Sequence, residues 1–562
     1  MKKTKVYLLL SITIICSLLA AITLVLTPFY LGKAIDFMIG KDNVDMVGVV
    51  EMLKIALMLY GANFILTWLV SLFANQVSVG VVGSLREKLF AHINKLPVGY
   101  LDTHSHGDIQ SRFAMDSELI LDGMYQLITQ LIGGIFVVVI SAYFMFSINV
   151  MMTVIVIALV PLMYITSRLV AKHSLQLYKK QQAIAGEISG TVNEYFANNT
   201  LLLAYNHQED AIAKFEALNA ELNDVGERAQ FISAITNPTT RVVNNISYLL
   251  IGLVGAFAVR EWGLTVGLLT SFISYSMMFS KPFNEFSAVV AQVMAGRASL
   301  ERINAILEEP LESNNDHEQK LDGKVVSFED VQFSYVEGKP LIKNLSLDIK
   351  PLSKVAIVGP TGAGKSTLIN LLMRFYDIDS GSIKIDGVDL QSVSKQSIRD
   401  TMGIVLQDPW LFEGTIRDNI KYGKVDASDE AMFEVSKQAG CHDYIMSLDK
   451  QYDTMIALES KNISLGQRQM ITIARALLVD APIIILDEAT SSLDVVTEQH
   501  IQSVFVKIME KRTSFFVAHR LSTVIDSDVI LVMKDGQLIE QGNHEELMAQ
   551  EGFYHKLYMS QF

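Results

Sequence analysis

Long uncharged stretches dominate the first half of the chain and limit what it can fold into. No Asp, Glu, Lys or Arg occurs from Val6 to Gly32, from Ile55 to Leu85, or from Gly123 to Ser167. A helix needs about 20 apolar residues to cross a hydrocarbon core of about 30 Å, because each residue adds about 1.5 Å of length. These stretches are long enough, so the sequence predicts helices that span a membrane.

Six spans are predicted. The stretch from Gly123 to Ser167 is long enough for two of them, joined by a tight turn at Ser147-Ile148-Asn149. The first span follows three lysines, yet it exceeds the roughly 7–15 apolar residues of a cleavable signal peptide. The spans are predicted near 6–32, 52–80, 123–146, 149–170, 242–260 and 262–285.

Basic residues indicate the orientation of these spans. The connections after the second and fourth spans are long and contain many Lys and Arg residues, whereas the other connections are short and contain few. Basic connections stay in the cytoplasm, so we expect the N-terminus, the long connections and the C-terminal domain inside the cell. The long connections, 81–122 and 171–241, have an amphipathic helical pattern and are predicted to extend the spans beyond a membrane, which we expect to be a bacterial plasma membrane.

Charge and cysteine content exclude several other classes of protein. The formal charge of −14 argues against nucleic acid as a partner, because phosphate contacts need clustered Lys and Arg. The two cysteines, Cys16 and Cys441, offer neither a disulfide framework nor a cysteine metal site. His104 and His106 have no third ligand nearby in the sequence, which favours a loop role over metal binding.

The C-terminal part has a different pattern. From about Val325, short β-branched runs alternate with turns and helices, as in an α/β domain. The polar segment 301–323 is predicted to be a linker between a membrane domain at 1–300 and a second domain at 324–562. The predicted fold is therefore an α-helical membrane domain followed by an α/β domain.

A phosphate-binding loop is the most specific motif of this second domain. It lies between a predicted strand, Lys354–Val358, and a helix expected to begin near Thr367, which is the context that supports such a motif. Backbone N–H groups of the loop would surround phosphates, Lys365 would reach the β- and γ-phosphates, and Ser366 would bind Mg²⁺. The loop reads Gly359-Pro360-Thr361-Gly362-Ala363-Gly364-Lys365-Ser366. It predicts that the domain binds ATP with Mg²⁺.

An acidic pair at a strand end complements the loop. Four apolar residues, Ile483–Leu486, predict a buried strand that ends at Asp487 and Glu488. Asp487 is placed to hold the Mg²⁺ shell, and Glu488 to polarise an attacking water. The alternative for Glu488 is an ordinary surface residue after a strand.

The order of motifs from 325 to 562 resembles the nucleotide-binding domain of ATP-binding cassette (ABC) proteins. Upstream, Tyr100–Asp108 and Lys281–Glu285 resemble the exporter-type transmembrane domain of that family, so the likeness covers most of the chain. The motifs are Tyr335, the phosphate loop, Gln407 in Val-Leu-Gln-Asp-Pro, Ile463-Ser-Leu-Gly-Gln-Arg-Gln469, Asp487-Glu488, Ser492-Leu-Asp494 and His519-Arg520.

The resemblance implies roles for single residues in the ATP site. Tyr335 would stack on adenine, although an ordinary strand aromatic is the alternative. Gln407 would sense Mg²⁺ and water and link the site to the membrane helices. His519, predicted to follow a strand at Ser514–Ala518, would contact the γ-phosphate and position Glu488; a lone core histidine is the alternative.

The resemblance also implies contacts between domains. Asp494 would lie at the interface between two ATPase domains. Short turns near Met115–Glu118 and Tyr205–Glu209 would be the coupling helices that dock on the ATPase domains.

The signature segment departs from the family's Leu-Ser-Gly-Gly-Gln pattern. It reads Ile463-Ser464-Leu465-Gly466-Gln467, with leucine at the first glycine. Ser464 and the N-terminus of a helix predicted at Arg468–Leu478 would face the γ-phosphate on a partner domain, where Leu465 adds bulk. An intact Glu488 beside an altered signature resembles one subunit of a heterodimeric exporter; a homodimer that tolerates this segment is the alternative.

The predicted function is ATP-driven export of an amphipathic or hydrophobic substrate by a dimer. The predicted partners are a second ABC half-transporter chain, the lipid bilayer and a small hydrophobic or amphipathic substrate. The spans are nearly free of charge, whereas inorganic-ion pathways usually need ionisable groups within the membrane, and the family's importers normally carry spans and ATPase on separate chains. A homodimeric lipid or peptide exporter and an ATP-gated channel or receptor are the alternatives. Met277-Met278-Phe279, Asn244 and Asn245 could line a substrate path or serve only helix packing.

Overall fold

The chain divides into two compact units. Unit 1 consists of Met1–Asn94 and His106–Glu309, and unit 2 of Lys95–Ser105 and Pro310–Phe562. The segment Lys95–Ser105 lies within the extension predicted at 81–122, yet it packs with unit 2. The computed structural model describes residues 3–38, 44–315, 317–336, 338–457, 462–487, 495–517 and 524–560.

Unit 1 is built from long helices. Two π-helical turns, Arg112–Asp116 and Leu127–Ile132, interrupt the helical stretch that contains the third predicted span. The helices are α1 (Lys3–Asp36), α2 (Met46–Ile93), α4 (His106–Ser111), α5 (Ser117–Gln126), α6 (Gly133–Ile148), α7 (Val150–Ala197), α8 (Asn199–Tyr205), α9 (Gln208–Glu261) and α10 (Val266–Glu308), and α3 (Val98–Thr103) belongs to unit 2.

The apolar helices are compatible with a membrane domain. Within the described ranges, four helical stretches are long and apolar enough to cross a membrane, Thr4–Asp36, Met46–Ile93, His106–Ile148 and Arg241–Glu261. The count of six spans stays a prediction.

Two helix ends test the predicted boundaries. Asn149 has an extended backbone, and its Oδ1 accepts a hydrogen bond of 3.0 Å from Met152 N. Asn149 thus separates α6 from α7, at the position where the tight turn is predicted. The linker predicted to begin at residue 301 begins later, because α10 continues to Glu308. It ends there since Pro310 disfavours helical backbone in the preceding Glu309, whose φ and ψ are −60° and 138°.

Small residues allow α1 and α10 to approach closely. A Cβ on Gly267 would lie 2.0 Å from the carbonyl oxygen of Gly32, so neither helix can carry a side chain there. Next to this contact, Asp36 accepts hydrogen bonds of 2.7 Å from Thr265 Oγ1 and Gly267 N. Close approach at small residues with added polar contacts is typical of helix packing in membranes.

A buried carboxylate joins the first π-helical turn to α10. Asp116 is 4% exposed and accepts hydrogen bonds from Ser299 Oγ at 3.1 Å, Arg302 Nε at 2.9 Å and Arg302 Nη2. The hydrogen bonds from Arg302, which outweigh burial, lower the pKa of Asp116 below its ordinary value of 3.8. Asp116 is therefore ionised at neutral pH.

The two predicted coupling turns have different outcomes. Met115–Glu118 is helical, so the prediction of a turn there is wrong; no Gly or Pro interrupts this stretch, and Asp116 is tied to α10. The chain turns earlier instead, within Asn94–Ser105. At the second position, Asn206 adopts a left-handed φ of 56° after α8, and α9 begins at Gln208.

Unit 2 has the predicted α/β architecture. Its six-stranded sheet has the order β12-β11-β3-β10-β9-β6, in which only β12 is antiparallel, and a four-stranded antiparallel sheet has the order β2-β1-β4-β5. β7 and β8 form a separate pair. The strands are β1 (Val326–Phe333), β2 (Ile342–Ile349), β3 (Lys354–Val358), β4 (Ser380–Ile385), β5 (Val388–Asp389), β6 (Met402–Val405), β7 (Gly414–Thr415), β8 (Met455–Ile456), β9 (Ile483–Asp487), β10 (Thr513–Val517), β11 (Val529–Lys534) and β12 (Gln537–Gly542).

Helices follow most of these strands. One of them, α16, is the helix predicted at Arg468–Leu478. The helices are α11 (Lys365–Leu372), α12 (Lys395–Arg399), α13 (Ile416–Lys421), α14 (Asp429–Gln438), α15 (His442–Met446), α16 (Leu465–Val479), α17 (Val495–Met509), α18 (His544–Ala549) and α19 (Phe553–Met559).

The six-stranded sheet is buried on both faces. Alternate residues of β3 point to opposite sides, since Val355 and Ile357 belong to one apolar cluster and Ala356 and Val358 to another. A parallel sheet covered on both faces requires apolar residues at every strand position. The continuous apolar runs in the sequence satisfy this requirement.

We expect replacement of Asp116 to destabilise unit 1. Asp116→Asn removes a charged acceptor from Arg302 and should cost about 1.5–3 kcal/mol, measured as a lower unfolding temperature in detergent. Because the pKa of Asp116 is lowered in the folded state, its contribution is present above pH ~4 and lost as the pH falls through the lowered pKa.

Asp108→Asn is the matched control for this prediction. Asp108 pairs with Arg112 at 2.7 Å, but its side chain is 47% exposed, so the substitution should cost about 0–1 kcal/mol. Equal effects of the two substitutions would contradict the role given to Asp116.

Candidate functional site

The carboxyl ends of the parallel strands meet at one edge of the six-stranded sheet. Asp487 at the end of β9 lies opposite Val517 of β10, and Leu486 lies opposite Val405 of β6. On the other side of β10, Val517 pairs with Ile357 of β3. The segments that follow β3, β6 and β9 therefore begin at the same edge, which is where open α/β sheets bind ligands.

The phosphate loop begins at this edge. Gly359, Gly362 and Gly364 have φ angles of 154°, 80° and 99°, which residues with a side chain rarely adopt. At Gly359 the space is also closed, because a Cβ would lie 2.2 Å from the carbonyl oxygen of Met533. The glycines predicted from the motif are thus required by the backbone of the loop.

Lys365 is the first residue of α11 and is 8% exposed. Its Nζ donates hydrogen bonds to the carbonyl oxygens of Gly359 at 2.8 Å and Pro360 at 3.0 Å. The ammonium group is therefore held over the loop. The backbone N–H groups at the start of α11 add positive potential there, so the arrangement suits an anionic phosphate.

Tyr335 belongs to an aromatic cluster beside the loop. Its ring is 46% exposed and meets Phe333 and Tyr376 edge to face, at centroid distances of 4.8 and 4.9 Å. Its hydroxyl lies 3.3 Å from Thr367 Oγ1 and 3.3 Å from Asn370 Nδ2. A partly exposed aromatic residue is thus held in place near the phosphate loop.

Gln407 is exposed two residues after β6. The segment that follows it is held by Arg475 of α16, which donates to the carbonyl oxygens of Trp410 at 3.0 Å and Asn419 at 2.9 Å. Arg475 Nη2 also donates to Asn419 Oδ1 at 3.0 Å. Arg475 therefore connects α16, the signature helix that begins within the signature segment, to the segment after Gln407. Sequence motifs do not reveal this connection.

The signature segment forms the first turn of α16 instead of preceding it. Ser464 is the N-cap; its side chain accepts from Gln467 N at 3.4 Å, and Gln467 Oε1 accepts from Ser464 N at 3.2 Å. The predicted helix start at Arg468 is therefore too late. Leu465 does not have a positive φ, so leucine causes no backbone strain here, and its bulk is the remaining difference from glycine.

Several predicted site residues lie outside the described ranges. These residues are Glu488, Ser492, Asp494, His519 and Arg520. Two neighbouring features are described. Asp487 is half-buried at the end of β9. The strand predicted before His519 is confirmed as β10.

The structure adds a contact that the sequence analysis missed. The hydroxyl of Tyr376 donates to Asp102 Oδ2, and Asp102 lies in α3, the helix of segment Lys95–Ser105 that packs with unit 2. The pKa of Tyr376 is raised, mainly by burial and to a smaller extent by the hydrogen bond to Asp102. The phenol therefore keeps its proton. The two residues are far apart in the chain, and no motif links them.

Apolar helices joined to a phosphate-loop sheet define an ATP-dependent membrane transporter. Residues 10–283 match the family described as the ABC transporter transmembrane region, and residues 342–491 match the family described as ABC transporter. The chain belongs to the ABC transporter family.

Two proteins that are similar to this chain over most of its length are also ABC transporters. An uncharacterized ABC transporter ATP-binding protein of Bacillus subtilis, YfiC, is 36% identical over 99% of this chain and 92% of its own length. A fatty acid ABC transporter ATP-binding/permease protein of Mycobacterium bovis is 38% identical over 92% of this chain and 82% of its own.

The structure is similar to that of a bacterial Atm1-family ABC exporter with ATP bound. The TM-score is 0.82 at 27% identity, and the match covers 100% of this chain and 99% of the other. The chain is thus a multi-pass membrane protein of the ABC exporter family, which acts as dimers; it binds ATP and couples ATP hydrolysis to transport.

We expect Arg475→Lys to destabilise unit 2. Lysine cannot reproduce the planar set of donors that reaches both Trp410 and Asn419, and the loss should cost about 2–3 kcal/mol. ATP turnover should fall further than ATP affinity, because Gln407 loses its support while the phosphate loop is unchanged. Unfolding temperature, ATP binding and ATP turnover of the purified chain measure these effects.

Arg512→Lys is the control for this substitution. Arg512 donates to Asp480 at 2.7 Å, but the Asp480 side chain is 81% exposed, so little stability should be lost. An unchanged unfolding temperature for Arg475→Lys would contradict the connecting role.

Proposed function

We propose that this chain exports an amphipathic or hydrophobic substrate across the cytoplasmic membrane as one half of a dimer. The observation that carries the proposal is the fusion of apolar helices to an ATPase unit in which the phosphate loop and a capped signature helix are both formed. The name of the mycobacterial relative, a fatty acid transporter, supports an amphipathic substrate. The apolar helices would span a bacterial plasma membrane, and the N-terminus and the ATPase unit would be cytoplasmic.

The residues at the sheet edge would divide the work of hydrolysis. The phosphate loop and Lys365 would hold the phosphates, and Tyr335 would stack on adenine. Glu488 would polarise the water that attacks the γ-phosphate in line, with His519 holding Glu488 in position.

Oxygen donors suit Mg²⁺ at this edge. The hydroxyl of Ser366 lies in the first turn of α11, and the carboxylate of Asp487 ends β9; both, with Gln407, would hold the ion. Bound there, Mg²⁺ would neutralise charge on the β- and γ-phosphates.

The composite ATP site requires a second chain. This chain contains one phosphate loop and one signature segment. Each would form an ATP site with the complementary element of a partner chain, and Asp494 would lie at the interface. Leu465 would place a bulky side chain against the partner's γ-phosphate. We therefore propose a heterodimer in which a different chain supplies an unaltered signature to the Lys365–Glu488 site.

The segment Lys95–Ser105 would couple the ATPase to the membrane helices. Tyr376 links Asp102 of this segment to Tyr335, which would contact adenine. This segment replaces the turn first predicted at Met115–Glu118, while docking at Tyr205–Glu209 stays a prediction.

The heterodimer is tested by ATP turnover of the chain purified alone. We expect folded, ATP-binding protein with slow turnover, which Leu465→Gly raises by relieving the bulk at the γ-phosphate. Glu488→Gln should lower the raised turnover at least about 100-fold.

Leu465→Ala is the matched variant, since it removes the bulk but keeps a Cβ and good helix propensity. Fast, Glu488-dependent turnover by the unaltered chain would establish a homodimer instead.

The coupling segment is tested by Tyr376→Phe. The ring contacts with Phe333 and Tyr335 persist, but the hydrogen bond to Asp102 is lost. We expect near-normal ATP affinity with several-fold fewer substrate molecules moved per ATP, because a hydrogen bond to a charged group contributes about 1.5–3 kcal/mol. Transport and ATP turnover are measured together in vesicles, and an unchanged ratio would exclude this contact from coupling.

A further inference from the structure

Unit 1 contains a cavity of about 570 Å³. It lies between α1, α2, α10 and the stretch from the second π-helical turn into α6. Its volume falls within the range of roughly 300–1,000 Å³ for small-molecule sites. Most of its wall is apolar, including Leu24, Val70, Leu131, Val138, Met278 and Phe286. An apolar wall of this kind suits an alkyl chain.

Two charged residues lie among the described residues of the wall. Lys281 and Glu285 are one turn apart on α10, and their Nζ and Oε1 atoms are 4.0 Å apart. Their side chains are 74% and 53% exposed. An ion pair this long and exposed contributes little stability, so a ligand that provides a partner for each group can separate the two at little cost.

The pair discriminates between head groups by charge. A singly charged group beside it meets attraction and repulsion at similar distances, and the two nearly cancel. A head group with one negative and one positive charge can satisfy both, with its anion on Lys281 and its ammonium on Glu285. The pair therefore favours a zwitterion.

The wall also contains uncharged polar residues, among them Ser17 and Asn63. Ser17, near the middle of the first predicted span, is 5% exposed, and its hydroxyl has no hydrogen-bond partner among the described residues. Asn63 donates to the carbonyl oxygen of Ala20 at 2.8 Å. The hydroxyl of Ser17 can thus bond one uncharged oxygen close to a head group, while the rest of the wall contacts the chain.

We propose that this cavity binds a single-chain amphiphile with a zwitterionic head group, of the lysophosphatidylethanolamine type. The phosphate contacts Lys281, the primary ammonium contacts Glu285, and the acyl chain lies along α1, α2 and α6. Lys281 is near the end of the last predicted span, which is cytoplasmic in the proposed orientation, so the amphiphile enters from the inner leaflet. This inference rests on the proposed export function and names its substrate class.

The cavity can be filled without disturbing its wall. Gly133 lines the cavity, and a Cβ added there meets no atom within 4 Å. Gly133→Leu therefore places a side chain in the space where the acyl chain is proposed to bind. Gly61→Leu is the matched control, because Gly61 is exposed on α2, is equally open to a Cβ and is not part of the described wall.

The test measures binding of three probes to the full-length chain in phosphatidylcholine nanodiscs. Oleoyl lysophosphatidylethanolamine, oleate and monooleoylglycerol share one acyl chain and differ in head-group charge. We expect the zwitterion to bind about tenfold more tightly than either of the others, a difference of about 1.4 kcal/mol. Gly133→Leu should weaken its binding at least about tenfold, and Gly61→Leu should leave binding and ATP turnover unchanged.

Charge variants provide a readout that loss of structure would not produce. Lys281→Met and Glu285→Gln should each reduce binding of the zwitterion to the level of monooleoylglycerol. Glu285→Gln should at the same time strengthen binding of oleate, because Lys281 then stands alone. Equal binding of oleate and the zwitterion by the unaltered chain, or equal losses for all probes in Glu285→Gln, would overturn the inference.

ATP turnover and ATP-driven movement of the probe in vesicles separate the two proposals. Failure of selective binding in a chain that hydrolyses ATP overturns the substrate class alone. Selective binding without ATP-driven movement by Leu465→Gly, the variant in which the chain alone is expected to turn over ATP faster, supports the site and overturns the export function.

Discussion

The hydrocarbon core of a membrane offers no water to satisfy backbone N–H and C=O groups, so each spanning segment must bond within itself. This constraint explains why unit 1 consists of long helices and why a polar cap is useful where two apolar helices meet at a turn. Asn149 supplies such a cap between α6 and α7. It also explains why helices approach at small residues such as Gly32 and Gly267, where packing and local polar contacts replace the hydrophobic effect.

Unit 2 depends on a different constraint, the register of a parallel sheet. Residues far apart in the chain reach the same edge because strands of equal direction end side by side. Asp487 and Val517 are paired in this way, and the phosphate loop follows the neighbouring strand. Arg475 then ties α16 to the segment after Gln407, so the signature helix and that segment keep a fixed relation within one chain.

Two features of the chain concern its partners. The cavity in unit 1 combines an apolar wall with one positive and one negative side chain, the combination from which we propose a zwitterionic amphiphile. Leu465 is accommodated without strain in its own helix, so the effect proposed for its bulk concerns the contact of α16 with a nucleotide on another chain. Both proposals concern surfaces that a ligand or a second subunit would complete.

The sequence by itself determined the apolar helices, the order of the strands along the chain and the phosphate loop. These follow from local causes: hydrophobic length, β-branched runs, and glycines whose positive φ the loop requires. Motif spacing also predicted Lys365, Ser366 and Asp487 at one site. By contrast, the turn predicted at Met115–Glu118 is helical, because Arg302 of α10 and Asp116 hold that stretch in a way that local pattern cannot show.

The tertiary structure alone decided which distant residues meet. Tyr376 contacts Asp102 and Arg475 contacts Trp410 through packing between elements separated by long stretches of chain. Lys281 and Ser17 line the same cavity for the same reason. Their residue types are ordinary at their own positions, so the sequence contains no local signal for these contacts. Side-chain hydrogen bonds and the walls of the cavity depend on the relative placement of elements, which long-range packing sets and periodicity does not.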